Sequence, residues 1–114
     1  MLDKFDLVNL LYDFYGQMLT DRQRSFVELY YCQNLSLGEI AEEYGVTRQA
    51  VHDILKRAEQ QLFHYEEKLG LVRRHREERS LLAKVLSIID GHLERCSSEE
   101  VLRAREILAG ILKQ

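Results

Sequence analysis

Residues 36–57, SLGEIAEEYGVTRQAVHDILKR, restrict the possible folds of this chain more than any other stretch. Ser36 has the chemistry of a helix N-cap, and Glu39, three residues on, can return a bond to close a capping box. Ile40 and Ala41 supply the buried side of a short helix that ends at Gly45, where a glycine accepts the left-handed conformation that turns the chain. Val46 plugs the core beside the turn and Thr47 caps the next helix. From there Ala50, Val51, Ile54, Leu55, Ala58 and Leu62 recur at helical spacing and face inward. Arg48, Gln49, His52, Asp53, Lys56 and Arg57 are left facing outward. Two short helices folded over a glycine, the second longer and more basic, predict a helix-turn-helix.

The outward residues bear on function. A helix that enters the major groove of DNA needs polar side chains on its first turns, where base edges lie closest. Arg48, Gln49 and His52 meet that need, since arginine can fork onto guanine and glutamine onto adenine. Lys56 and Arg57 on the same face, with Ser36 at the start of the first helix, are candidates for phosphate contacts, and Thr47 joins the candidate nucleic-acid-binding residues. The same two-helix pattern occurs in proteins that never touch nucleic acid, where it serves as a docking surface.

The chain has no proline and six glycines, and nothing alternates with period two for long. An all-α fold follows. Its 46% hydrophobic residues suffice for a core without disulfides or a metal. Cys32 and Cys96 are isolated, and neither belongs to a CxxC spacing, so a reducing, cytoplasmic setting is expected and no metal site. The absence of a long apolar run and of a basic-then-apolar start predicts neither membrane insertion nor a secretory signal. The net charge is −3, unevenly spread: residues 1–45 carry three basic and eight acidic side chains, residues 46–114 thirteen and eleven. Nucleic-acid binders draw most of their affinity from phosphate contacts, so this chain offers a local basic patch at most.

Before the motif, residues 2–19 predict one helix with two apolar stripes. Phe5, Val8, Tyr12, Tyr15 and Leu19 make the first; Leu7, Leu11, Phe14 and Met18 make the second. A monomer needs one buried stripe, so the second set is assigned to a homodimer interface, helped by the C-terminal hairpin; the alternative is a helix that lies deep between other helices of its own chain. Thr20 caps the next helix with Gln23 at the capping-box position, and Phe26, Val27, Leu29, Tyr30 and Tyr31 give it a broad apolar face ending near Asn34. After the motif the second helix extends to Leu69, with Gly70 as its stop. Arg73, Arg74, His75, Arg76 and Arg79 then form a basic cluster, either a phosphate clamp or a solvated helix start. Leu81 to Leu93 continue an apolar helix, and Ser97 with Glu100 predicts a capping box that opens the last one. Residues 1–114 are read as a single all-α domain, with 19–69 the helix-turn-helix core and 73–112 a C-terminal helical hairpin.

With these residues laid out, the chain resembles the YlxM family of small bacterial helix-turn-helix proteins. YDFYG (Tyr12–Gly16), LTDRQ (Leu19–Gln23), LGEIAE (Leu37–Glu42) and TRQAV (Thr47–Val51) carry the likeness, which covers nearly the whole chain. Residues 19–62 are also similar to region 4 of bacterial sigma factors, which reads promoter DNA through this motif. The resemblance implies a regulator of the signal recognition particle pathway, in a family whose genes neighbour that of the particle's GTPase. The expected partner is then DNA, or the RNA or protein of the signal recognition particle. The alternative is an accessory factor that docks on the particle's GTPases without binding DNA. Catalysis is not expected: the chain has no phosphate-cradling glycine loop, no paired metal ligands and no nucleophile beside a base. Neither a cofactor nor a small-molecule substrate is anticipated.

Overall fold

A computed structural model describes residues 3–113, and among them every regular element is helical. Six α-helices follow in order: α1 (Lys4–Tyr15), α2 (Asp21–Val27), α3 (Leu37–Tyr44), α4 (Arg48–Leu69), α5 (Leu71–Arg95) and α6 (Glu99–Lys113). The chain divides into two compact units, Met1–Val72 and Arg73–Gln114.

In the first unit α1, α2 and α3 all pack against α4. The core is built from Val8, Leu11, Tyr15, Leu19, Phe26, Val27, Tyr31, Ile40, Ala41, Val51, Leu55, Ala58, Leu62 and Val72. Local chemistry sets the helix ends. Asp3 caps α1 by accepting the Asp6 N–H at 2.8 Å. The expected start at residue 2 lies outside the described residues. The expected end at Leu19 is replaced by a tighter turn over Gly16–Met18. Gly16 is buried under the Tyr12 ring, where a Cβ would stand 2.7 Å from Tyr12 Cε1. Thr20 closes its capping box with Gln23, through bonds of 3.2 and 3.0 Å.

The helix after Thr20 is not α-helical to its end. It widens into a π-turn over Glu28–Cys32, which leaves backbone carbonyls without their usual partners. The Asn9 amide donates to the Tyr31 carbonyl at 3.5 Å, and the Tyr12 hydroxyl donates to Glu28. Asn34 then takes a left-handed φ of 59° and turns the chain toward α3. Tyr31 ends in the core, and Phe5 lies against it with ring centroids 4.7 Å apart.

The two predicted stripes of α1 do not separate into an inner and an outer face. Leu11, assigned to the dimer surface, is fully buried in the chain's own core beside Val8 and Tyr15. Leu7 and Phe14 are half-buried against that core, and Met18 alone of the four is exposed. The buried line of α1 runs between the two stripes because α4 on one side and the π-turn on the other both need it. Phe5, from the supposed inner stripe, is instead 41% exposed.

α4 ends at Gly70, whose φ of 63° is the left-handed stop, and α5 starts at the next residue. A hydrogen-bonded hub secures this junction. The Tyr15 hydroxyl donates to Glu66 Oε1 at 2.6 Å and accepts the Leu71 N–H at 3.0 Å; the same Glu66 oxygen accepts the Val72 N–H at 3.0 Å. Two orphan donors at the start of α5 are thereby satisfied. Burial first, then the Glu66 carboxylate, pushes the Tyr15 phenol above its ordinary value, so it keeps the proton it donates.

In the second unit α5 passes through Gly91 without a break, and α6 follows after residues 96–98. The cap of α6 is Ser98 rather than the predicted Ser97: Ser98 Oγ accepts the Val101 N–H at 3.3 Å. Glu99 and Glu100 lie in the first turn, where the helix dipole favours acids. Arg105 on α6 pairs with Asp90 on α5 at 2.5 Å.

Two tests follow from this architecture. Tyr15→Phe keeps the ring but removes the hydroxyl that accepts the Leu71 N–H and donates to Glu66, and should cost about 1–3 kcal/mol in urea denaturation. Tyr12→Phe, whose bond is exposed, should cost clearly less. The second test uses the Ser36–Glu39 box, where hydrogen bonds from Ser36 hold the Glu39 carboxyl below its usual range. A depressed pKa gives stability that is present above about pH 4.5 and fades as the pH falls through the lowered value. Glu39→Gln can keep the box, as Gln23 does, and should flatten this part of the acid denaturation curve.

Candidate nucleic-acid interface

The turn between α3 and α4 is made as its residues predict. Ser36 Oγ accepts the Glu39 N–H at 3.1 Å, and Glu39 Oε1 accepts the Ser36 N–H at 2.9 Å. Gly45 closes α3 with φ 65°, a conformation a side chain would strain. Thr47 then caps α4 by accepting the Ala50 N–H at 3.0 Å. Ser36 and Thr47 are both exposed, with their hydroxyls engaged in these caps.

α4 is two-sided. Val51, Leu55, Ala58 and Leu62 are buried, with Ala50 and Ile54 partly so. Arg48, Gln49, His52, Asp53, Lys56 and Arg57 are all exposed. At 100° per residue these six span about half the helix circumference, opposite the core. The structure thus brings Arg48, Gln49, His52, Lys56 and Arg57 onto one face, with Ser36 and Thr47 at the ends of the turn.

Two features of this face were not foreseen. Asp53, expected on the outward face, engages its neighbours: Gln49 Nε2 donates to Asp53 Oδ1 at 2.9 Å, and His52 Nδ1 lies 3.4 Å from the same oxygen. The spacing of 49 and 53, one turn apart, could have signalled the pair. Arg48 does not project freely. Its Cδ and Nε lie 3.8 and 3.9 Å from where a Gly38 side chain would begin, so its stem rests over the first turn of α3.

Beside this face is a cleft of about 330 Å³, lined by Lys4, Tyr30, Tyr31, Leu37, His52, Leu55, Lys56 and Glu59. Lys4 Nζ pairs with Glu59 at 2.9 Å, which raises the lysine's pKa. Burial, and then Glu59, pushes the Tyr31 phenol up as well. Lys4 and Glu59 compensate one another within the cleft. Among the described residues no group of three or more His, Cys, Asp or Glu side chains could hold a metal. No helix among them is long and apolar enough to cross a membrane.

The basic cluster after α4 lies on the first turns of α5. Arg73, Arg74 and Arg76 are exposed, and Arg74 pairs with Glu78 one turn on at 3.7 Å.

Comparison with known proteins agrees with this geometry. The family model described as "Putative helix-turn-helix protein, YlxM / p13 like" (UPF0122) matches residues 2–100. A UPF0122 protein of Desulforamulus reducens is 51% identical over 113 residues, covering 99% of this chain and 97% of that one. One from Thermoanaerobacter sp. is 49% identical over 109 residues, covering 96% and 93%. A third, from Bacillus anthracis, is 52% identical over 89 residues, covering 78% and 81%. The chain belongs to the UPF0122 family of YlxM / p13-like helix-turn-helix proteins.

Proposed function

We propose that the protein is a non-enzymatic, nucleic-acid-binding regulator that acts through α4. The observation that carries this reading is the continuous exposed face of Arg48, Gln49, His52, Lys56 and Arg57 on a helix whose other side is the core. Arg48, Gln49 and His52 approach base edges, while Lys56 and Arg57, with Ser36 and Thr47 at the helix starts, meet phosphates. The setting is the cytoplasm and the working form a homodimer, since readers of this kind engage two half-sites. The place in the signal recognition particle pathway follows from the family resemblance, which makes that particle's RNA a natural probe beside DNA.

A second reading has its own support. Residues 1–45 are acidic, and Asp53 occupies the middle of the reading face. A surface of mixed sign suits a protein partner, and docking on the particle's GTPases without DNA would use the same fold.

Binding measured by fluorescence anisotropy across a salt series, with DNA from upstream of the chain's own gene and with the particle's RNA, separates the two. Arg48→Ala should cost about 1–3 kcal/mol and relax base preference. Lys56→Ala and Arg57→Ala should weaken binding to all sequences and each reduce the salt slope by about one unit. Unchanged affinity in the triple variant would remove α4 as the site, and affinity for the GTPases alone would favour docking.

Asp53 supplies an independent check. Asp53→Asn removes a negative charge that faces phosphate and loosens the hold on Gln49 and His52. Affinity for nucleic acid should rise several-fold, most at low salt where charge is least screened. A loss of affinity would mean that Asp53 positions Gln49 for reading.

A further inference from the structure

α5 and α6 carry two parallel series of apolar residues, and the hairpin covers only one of them. Leu82, Leu86, Ile89 and Leu93 on α5 and Val101, Leu108 and Leu112 on α6 are half-buried, at the alternating spacing of four and three that makes a helix–helix seam. The residue immediately before most of these is also apolar, and it lies in water. Leu81, Val85 and Ile88 are 60%, 41% and 73% exposed; Ile107 and Ile111 are 65% and 46% exposed, and Ala104 is exposed with them. Stepping back one residue rotates by 100° about each helix axis. A connection of only residues 96–98 makes α5 and α6 antiparallel, so equal steps on both helices lead to the same side of the hairpin. The two exposed sets therefore form one face of six apolar residues, with His92 and Glu100 at the same one-residue step near the loop end of the hairpin.

We propose that this face pairs with its counterpart on a second copy of the chain, so that two α5–α6 hairpins complete a four-helix bundle. The exposed side chains leave on the order of 500 Å² of apolar surface per chain, near the upper end for a lone folded chain. Two copies together reach the roughly 1,000 Å² that a specific interface needs. No described residue between 73 and 113 is fully buried, so the hairpin lacks a core of its own and a two-fold pairing supplies one. This surface differs from the α1 stripe expected from the sequence, and it does not depend on nucleic-acid binding.

Sedimentation of the full chain at micromolar concentration tests the pairing. The mass should be twice the 13.5 kDa of one chain. The double variant Ile88→Glu/Ile107→Glu should raise the dissociation constant roughly a hundredfold or more, by burying two carboxylates without partners. Hydrogen exchange on the unaltered chain covers the case of a glutamate variant that fails to fold. Amide protection over residues 81–93 and 104–112 should rise with protein concentration. A monomer at all concentrations, protection there that ignores concentration, or a dimer split by Met18→Glu but not by Ile88→Glu/Ile107→Glu, would overturn the proposal.

Discussion

Val51, Leu55, Ala58 and Leu62 form a single buried line along α4, and every other helix of the first unit is fastened to it. The core and the candidate binding face are therefore two sides of one helix. Each anchor that α1, α2 or α3 places on the inner side also fixes how the outer side is held. Truncating one of these leucines would typically cost about 2–5 kcal/mol, a large share of the stability of a domain this size. The polar face thus rests on the best-packed element of the molecule, as a surface that must hold a defined geometry requires.

The parts of the fold that were legible beforehand are those decided by neighbours in sequence. Thr20, Ser36 and Thr47 cap their helices, and Gly45 and Gly70 end theirs in the left-handed region. Each of these is a bond or a torsion settled within a few residues. The features that escaped depend on contacts made across the chain. The π-turn at Glu28–Cys32 is stabilised from α1, by Asn9 and Tyr12. The buried line of α1 is set by what presses on it from two directions, so Leu11 is internal although helical spacing grouped it with Met18. The cap at Ser98 displaced Ser97 because adjacent serines are locally equivalent.

The candidate face follows the same division. Its members were legible because an amphipathic helix must show its polar residues opposite its apolar ones. How they are occupied was not. Gln49 is turned onto Asp53, and Arg48 lies along the start of α3. A residue list gives donors and acceptors, whereas the geometry shows which of them are already in use. For reading bases, that distinction sets the reorganisation required on binding.

The boundary between the two compact units falls inside α5, after Val72, where the backbone is helical. Gly70 alone separates α4 from α5, and the amides of Leu71 and Val72 are both hydrogen-bonded. An endoprotease must draw its substrate into an extended form, which this junction resists. Nicking would fall in the short irregular stretches inside the units, residues 33–36 and 96–98. The two units are distinct in packing yet continuous in backbone, and a protease would open each from within before it parted them.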